Sequence, residues 1–406
     1  MSKRTLESFF KPKVNVTPVK RVKPNDITDH TLTHPLETKC ENDHHHDNSH
    51  DADTDIDTNL GPPDSHPSYP IPIPQLPSHI AVALTHGTPA KEARAITNQP
   101  DLDLLYFQPY IARPTANELF KFLRRELPFY RVQYSIKRGA VETEINTPRY
   151  TTVFGIDDTS IFIHDPQRSQ SAPSGSKSTP ESGTQPSSSP SPFASLIPVE
   201  KTSQTPIRAS KYQYTPRPIP TCLAHLQTSV ERVTGARYNF CLVNYYADGN
   251  DSISYHSDDE RFLGAQPDIA SLSLGGEREF LMKHKPPPTT TTTGGPALQT
   301  QPVKMPLASG DMVVMRGATQ SQWLHSIPKR KGKAGDAVRG RINITFRRAM
   351  IPAGTNNYYR YNVGVGPVWR WDETRREMVK IPEESEEFIH DKAEESGESD
   401  VTRGGG

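Results

Sequence analysis

The chain has 406 residues, with 47 Lys and Arg against 47 Asp and Glu, and therefore a formal net charge of zero. Only 33% of the residues are hydrophobic and 39 are proline, so a good part of the chain cannot bury a core and is expected to be disordered. No run approaches the roughly 18 apolar residues of a membrane span, and the first residues show no secretory signal, so we expect no membrane association. The three cysteines (Cys40, Cys222 and Cys241) have no metal or disulfide spacing, which is typical of a reducing compartment.

Residues 1–95 are predicted to form a disordered N-terminal region. A run of His and Asp at residues 43–50 precedes the proline-rich residues 65–77. Histidine and aspartate bind metals, but no apolar pattern fixes the geometry of this run, so we interpret it as a solvated segment. The folded domain is predicted to begin at residue 96.

The first predicted helix begins near Thr115 and ends at Pro128. Thr115 and Glu118 have the spacing of a capping box, in which two side chains bind the backbone N–H groups at a helix start. A second helix is predicted over residues 221–233 because apolar residues recur there at helical spacing. The apolar positions are Leu119, Leu123 and Leu127 in the first helix and Leu223, Leu226, Val230 and Val233 in the second.

Residues 238–348 consist of short runs rich in Val, Ile, Tyr, Phe and Thr, separated by glycine-containing turns. With the two preceding helices, this pattern predicts a mainly β fold with flanking helices, as an antiparallel barrel or jelly roll. The predicted parts of the chain are a domain at 96–350 with flexible insertions at 166–206 and 286–303, an ordered extension of unassigned role at 351–380, and a disordered acidic tail at 381–406.

The segment around residue 256 has the spacing of a metal site. His256 and Asp258 are two residues apart, so on a strand they share a face, about 6.6 Å apart along its axis, and both reach one ion. His325, in another strand-like run, supplies a third ligand. Two histidines and one carboxylate leave three octahedral positions open, which is typical of non-haem Fe(II) oxygenases. Taken alone, His-x-Asp is a weak signal, and an ordinary structural or surface histidine is the alternative.

Two arginines in the last predicted strand indicate a second feature. Arg341 and Arg347 are six residues apart, so they share a strand face and lie about 20 Å from each other. A guanidinium inside a barrel is costly unless it meets an anion, so two of them predict a dicarboxylate ligand. This separation exceeds the length of a small dicarboxylate, so either the two side chains converge or one arginine partly has a structural role. A basic surface strand is the alternative.

Together these residues resemble the AlkB family of Fe(II)- and 2-oxoglutarate-dependent nucleic-acid dioxygenases, and they are most similar to its eukaryotic DNA-repair branch. The resemblance covers residues 102–350 without the two insertions, and it implies a double-stranded β-helix (jelly-roll or cupin-like) core with disordered termini and insertions. The matching stretches are His256-x-Asp258, His325, the RINITFR run at 341–347, and residues 148–155 and 244–260.

The resemblance also implies the cofactors. Fe(II) would be bound by the two histidines and the aspartate, and 2-oxoglutarate and O2 would be co-substrates. The carboxylates of 2-oxoglutarate would meet Arg341 and Arg347, with Asn244 and Tyr246 assisting, and the sequence leaves open which arginine meets which carboxylate. Asn244 and Tyr246 share a predicted strand face, as this role requires, although ordinary strand residues would have the same spacing.

The implied reaction is oxidative demethylation of alkylated DNA bases, chiefly N1-methyladenine and N3-methylcytosine, with release of succinate, CO2 and formaldehyde. This is direct-reversal DNA repair. The alternatives are an RNA demethylase of the same family and a non-catalytic, clamp-recruited module that binds nucleic acid. The complete triad and both arginines favour an enzyme, since a binding module needs no iron ligands.

A base must leave its stack to enter such a pocket, and four residues are candidates to contact it. Glu260 matches a family position that accepts from an exocyclic amine, and a surface acid is the alternative. Tyr212 and Tyr214 resemble lid residues that stack on or hydrogen-bond the flipped nucleotide, although a plain strand gives the same spacing. Arg149 is a candidate lid or phosphate contact, with a solvent-exposed arginine as the alternative. No residue matches the wedge that other members insert into a duplex, so strand preference stays open.

The zero net charge conceals an uneven distribution. Residues 316–348 carry nine Lys or Arg and one acid, whereas residues 383–400 carry nine acids. The basic segment is a candidate for phosphate contacts, for a nuclear import signal, or for a solvated loop.

Leu6, Phe9 and Phe10 would lie on one short turn of the otherwise polar N-terminal region. This run resembles a degenerate PIP-box, the peptide that docks on the sliding clamp PCNA, although Lys3 stands where glutamine is usual. An apolar run without function is the alternative. We expect a monomeric nuclear protein whose partners are DNA, or RNA, and this clamp.

Overall fold

The computed structural model of the chain describes residues 61–138, 141–165, 192–286, 300–330 and 340–382. Within these ranges, no helix combines the length and the apolar composition needed to cross a bilayer. The helices are α1 (Ser78–His86), α2 (Arg113–Glu126), α3 (Thr221–Thr234), α4 (Thr319–Gln322) and α5 (Asn356–Asn362).

The strands form two facing sheets and two separate hairpins. In chain order they are β1 (Arg94–Ile96), β2 (Leu104–Phe107), β3 (Phe129–Tyr130), β4 (Gln133–Arg138), β5 (Val141–Asn146), β6 (Tyr150–Gly155), β7 (Ser160–His164), β8 (Leu196–Glu200), β9 (Phe240–Tyr246), β10 (Ile253–His256), β11 (Ile269–Gly275), β12 (Arg278–His284), β13 (Val303–Leu307), β14 (Met312–Met315), β15 (Trp323–Ile327), β16 (Arg341–Arg347), β17 (Val368–Asp372) and β18 (Glu377–Lys380). The large sheet has the order β1-β2-β14-β11-β16-β9-β6-β3-β17-β18, and the small sheet the order β10-β15-β12-β13. The hairpins are β4-β5 and β7-β8. The predicted mainly β jelly-roll fold with flanking helices is confirmed.

The large sheet buries a different set of side chains on each face, because successive residues of a strand point to opposite sides. On β16, the central strand, Ile342, Ile344 and Phe346 pack into an apolar core that also contains buried residues of α1, α2 and α3. The opposite face packs against the small sheet through a second apolar core. The residues of β16 that point to this second face are Arg341, Asn343, Thr345 and Arg347, all of them buried.

Helix α3 is confirmed almost residue for residue, but α2 does not begin as predicted. It begins at Arg113, two residues before Thr115, and no side chain of the described residues caps it. Pro114 occupies the first turn, where its fixed φ favours a helix and its missing N–H costs nothing. Glu118 contacts His79 at 2.7 Å. The predicted capping box is therefore wrong.

The folded domain begins earlier than residue 96. Helix α1 lies before that boundary, and Ile73, Ile80 and Leu84 are buried in the core that contains α2 and α3. The carboxylate of Asp64 accepts hydrogen bonds from the backbone N–H (2.6 Å) and the hydroxyl (3.1 Å) of Thr221, the first residue of α3. Prolines interrupt the apolar residues of this segment, so their spacing shows neither helical nor strand periodicity. The predicted disorder of residues 61–95 is corrected.

The predicted flexible segments are also shorter where the structure describes them. Residues Pro192–Ser195 form a 3-10 helix that leads into β8, and β8 pairs with β7 over its whole length. Residues 351–380, which were predicted as an ordered extension rather than a flexible segment, contribute α5, β17 and β18, and β17 pairs with β3 at the margin of the large sheet. Residues 1–60, 166–191, 287–299 and 383–406 lie outside the described residues, and with them the remaining predictions of disorder.

Substitution of Asp64 tests whether this segment belongs to the domain. We expect Asp64→Ala to lower the free energy of unfolding by about 1–2 kcal/mol, since it leaves the first N–H of α3 without its acceptor. Asp64→Asn keeps one acceptor oxygen and should lose less. Urea denaturation followed by far-UV circular dichroism measures both. Equal stability of Asp64→Ala and the parent would contradict the assigned role.

Candidate metal centre

His256, Asp258 and His325 lie together at one end of the space between the sheets. Strand β10 pairs with β15 so that His256 stands opposite His325, with ring centroids 4.2 Å apart. The strand ends at His256, and the chain then turns so that Asp258 Oδ2 lies 3.9 Å from His325 Nε2. One ligand atom from each of the three residues lies within 4.8 Å of the others. This is the arrangement of three protein ligands around a single cation.

The protonation states of these residues suit a divalent cation. Nδ1 of His256 lies 2.9 Å from the carbonyl of Ser254, which only accepts, so Nδ1 carries the proton and Nε2 keeps a lone pair. Burial lowers the pKa of His256, and burial together with the neighbouring His256 lowers the pKa of His325 to about 3. Burial alone would raise the pKa of Asp258, but the charge of Arg347 holds it below its ordinary value. The site therefore offers two neutral imidazoles and one carboxylate.

Two side chains from other elements hold Asp258. Its backbone N–H donates to Oε1 of Gln320 on α4 at 2.9 Å, and Nη2 of Arg347 donates to its Oδ2 at 2.8 Å. Arg347 also donates through Nη1 to Thr345 at 3.1 Å. Arg347 therefore partly serves the framework, one of the two outcomes expected from the strand separation. Gln320 could not be found in the sequence because it acts through a contact between residues far apart in the chain.

Arg341, at the opposite end of β16, is 1% exposed. Its Nη2 donates to Ser273 at 2.9 Å, and its guanidinium carbon lies 5.3 Å from the centre of the Tyr246 ring. Its Nε and Nη1 have no hydrogen-bond partner among the residues that the structure describes. Burial lowers the pKa of Arg341 to about 10. A buried cation with two unused donors suits an anionic ligand that accepts from both, as a carboxylate does.

The buried polar side chains of Asn343 and Thr345 lie between the two ends of β16, and we call this strip the polar floor. Asn343 donates to Ser271 at 2.9 Å, and Asn244 stands opposite it on β9. Asn244 accepts a hydrogen bond from Nε of Arg149 at 2.7 Å. This contact places Arg149 beside the floor, and its predicted role as a lid or phosphate contact stays a prediction. Buried polar side chains thus line β16 between Arg347, which lies beside the triad, and Arg341.

Glu260 lies close to the metal ligands and contacts a residue that sequence reasoning missed. Its Oε1 accepts from the hydroxyl of Tyr358 at 3.1 Å, and its buried Oε2 has no partner within the described part of the chain. Burial, and then the charge of Asp258, raise the pKa of Glu260 to about 7. Tyr358 belongs to the C-terminal extension, whose only signal in the sequence was its aromatic content.

The two tyrosines predicted to contact a flipped base differ in their surroundings. Tyr212 is 7% exposed, and its hydroxyl donates to Asp157 at 2.6 Å and lies 3.1 Å from Ser160. Its hydroxyl thus bonds to other residues of the protein, and its predicted contact with a flipped base stays a prediction. Tyr214 is half-buried and packs against the core between the sheets.

Comparison with known proteins places this geometry in context. Residues 163–347 match the model of the 2OG-Fe(II) oxygenase superfamily. The chain is 37% identical over 136 residues to DNA oxidative demethylase ALKBH2 of Homo sapiens (34% of this chain, 49% of that protein). It is 41% identical over 122 residues to alpha-ketoglutarate-dependent dioxygenase alkB homolog 3 of Rattus norvegicus (30% of this chain, 39% of that protein). The chain thus spans about half, or less, of the length of the curated relatives it matches.

Among solved structures, that of OsALKBH1 aligns over 63% of this chain and 100% of its own length, with 16% identity and a TM-score of 0.31. Both values are low. This structural alignment therefore carries no argument about the fold or the function of the chain.

Proposed function

From the premise that residues 163–347 form a 2OG-Fe(II) oxygenase domain and that the chain is a member of the AlkB family, we propose that it demethylates alkylated bases in DNA. One observation above all supports a working enzyme. The triad of His256, Asp258 and His325 lies at one end of the buried polar floor, and Arg341, whose Nε and Nη1 have no partner among the described residues, lies at the other. A module that only binds nucleic acid has no use for either.

The residues present fit the family's cofactors. The two histidines and Asp258 would hold Fe(II), and the carboxylate of 2-oxoglutarate distant from the metal would pair with Arg341. Arg347 already pairs with Asp258 at 2.8 Å, so it stands near the metal and Arg341 keeps the free donors. When bound, Fe(II) with 2-oxoglutarate and O2 supplies the oxidising power that releases the methyl group as formaldehyde, with succinate and CO2 as co-products.

The substrate bases follow from the acceptor that the chain offers beside the metal. N1-methyladenine and N3-methylcytosine each carry an exocyclic amine next to the methylated ring nitrogen. Oε2 of Glu260 is a buried acceptor without a donor from the described residues, and such an amine would satisfy it. We therefore propose these two bases as the substrates.

A turnover assay tests the proposal. We expect the purified full chain, with Fe(II), 2-oxoglutarate and O2, to release formaldehyde and succinate in equal amounts from DNA oligonucleotides that contain N3-methylcytosine. Parallel reactions use single-stranded DNA, duplex DNA and RNA, each with an unmethylated control. Turnover on RNA alone would favour an RNA demethylase, and no turnover on any of them would favour the non-catalytic binding module.

Three further expectations stay predictions from the sequence. Leu6, Phe9 and Phe10, the candidate clamp-binding residues, lie outside the described residues. The nuclear location and the monomeric state likewise rest on sequence alone. We retain all three as proposals.

A further inference from the structure

Helix α5, in the C-terminal extension, is fixed to the large sheet beside the candidate metal centre. The hydroxyl of Tyr359 donates to the carbonyl of Gly155 on β6 at 2.8 Å and accepts from the backbone N–H of Arg217 at 2.9 Å. The carbonyl of Asn362 accepts from the hydroxyl of Thr151, also on β6, at 2.8 Å. The position of the helix backbone is thus determined at both of its turns.

Tyr358, the neighbour of Tyr359 on this helix, points toward the centre and is 5% exposed. Its ring meets Phe240 and Phe262 edge to face, with centroids 5.4 and 5.7 Å away. The guanidinium carbon of Arg347 lies 5.2 Å from the ring centre. Three close neighbours therefore hold the ring in one orientation, and in that orientation the hydroxyl reaches Glu260 at 3.1 Å.

The hydroxyl occupies one oxygen of Glu260 and leaves the other unused. A glutamate side chain has three rotatable bonds, so a fixed donor on Oε1 restricts where Oε2 lies. Oε2 is buried and receives no hydrogen bond from the described residues. A buried acceptor without a donor is costly, and a donor that arrives with a ligand removes that cost.

We propose that Tyr358 is a positioning residue for base recognition: its hydroxyl fixes Glu260 so that Oε2 accepts a hydrogen bond from the exocyclic amine of the methylated base. This inference rests on the proposed function and adds the C-terminal extension to the substrate pocket. The inference predicts that the protein distinguishes bases by the chemical group that faces Oε2 of Glu260. N3-methylcytosine presents an amine there, whereas N3-methylthymine presents a carbonyl that would face a carboxylate.

The test compares two substitutions that remove the same atom from neighbouring residues. We measure kcat and KM for single-stranded oligonucleotides containing N3-methylcytosine or N3-methylthymine. Tyr358→Phe should lower the ratio of kcat/KM for N3-methylcytosine over N3-methylthymine by about tenfold, chiefly through a higher KM for N3-methylcytosine. Tyr359→Phe should lower the Tm, because it removes two hydrogen bonds to backbone groups. It should leave the ratio unchanged, because the bond from Thr151 to Asn362 still holds α5 and Phe240 and Phe262 still hold the Tyr358 ring. An unchanged ratio in a folded Tyr358→Phe protein would overturn the inference.

A second comparison asks whether Tyr358 acts through Glu260. In the Glu260→Gln background, Tyr358→Phe should cause no further fall in the ratio, since residues that act as a unit are not additive. A further fall of the same size would overturn the positioning role.

Binding separates this inference from the proposed function. If the parent protein turns over neither oligonucleotide, the proposed function fails. Fluorescence anisotropy with Mn(II) and 2-oxoglutarate then decides the inference: it stands if the parent binds the N3-methylcytosine oligonucleotide more tightly and Tyr358→Phe loses that preference. Equal affinity of the parent for both oligonucleotides would overturn it.

Discussion

His256→Ala should abolish turnover while the fold stays intact. Loss of a partner that only orients a metal ligand typically costs 10–100-fold in affinity or activity, so loss of the ligand itself should cost more than about 100-fold. The side chain is half-buried at the end of β10, and its hydrogen bond goes to the nearby carbonyl of Ser254. We therefore expect the free energy of unfolding to change by less than about 1 kcal/mol.

Two measurements check this expectation. Mn(II) binding, followed by titration, should weaken in parallel with turnover, and thermal unfolding should stay cooperative. The control is His164→Ala, because His164 lies on the β7-β8 hairpin, where its ring contacts Ser195 at 2.9 Å. That protein should match the parent in Mn(II) affinity and turnover. Full activity of His256→Ala would refute the metal assignment.

Arg347→Met should lower the stability of the protein, whereas Arg341→Met should not. Arg341→Met removes a buried cation whose Nε and Nη1 have no partner in the described part of the chain, so without 2-oxoglutarate the stability should stay equal or rise. Arg347→Met leaves Asp258 buried without its partner and should lower the free energy of unfolding by about 3–5 kcal/mol. Arg341→Met should also raise the KM for 2-oxoglutarate by more than about 100-fold, because it removes a charge-assisted, two-point contact with a carboxylate.

Ligand-induced stabilisation distinguishes these effects from general damage. With Mn(II) present, 2-oxoglutarate should raise the Tm of the parent, since it binds only the folded state, and should not raise that of Arg341→Met. Arg341→Lys serves as a matched variant that keeps the charge but not the planar fork. If Arg341→Met is strongly destabilised and still binds 2-oxoglutarate, this arginine is part of the framework and the dicarboxylate assignment fails.

The sequence predicted the parts of the site that depend on strand periodicity. RINITFR alternates between apolar and polar residues, so its four polar side chains had to share a face, and the structure shows them on one. His256 and Asp258 do meet at one point, although the strand ends before Asp258. The β fold and helix α3 followed from the same kind of local pattern.

Features that depend on contacts between distant parts of the chain could not be predicted. Asp64 lies 157 positions from Thr221, and the prolines around it remove any period. Tyr358 contacts Glu260 because α5 packs against β6, and the local sequence of α5 does not indicate this packing. The hydrogen bond from Tyr212 to Asp157, 55 positions away in the chain, is likewise a contact that local spacing does not predict.

The alternation on β16 also constrains how the central strands can assemble. Strand β16 lies between β11 and β9, with apolar side chains on one face and two arginines on the other. A shift of one residue in either pairing would turn both guanidinium groups into the apolar core beneath the helices and turn three large hydrocarbons toward the polar floor. Arg341, proposed to bind the co-substrate, and Arg347, which pairs with Asp258, thus also disfavour misaligned pairings, so residues of the site also help to determine the register of the sheet.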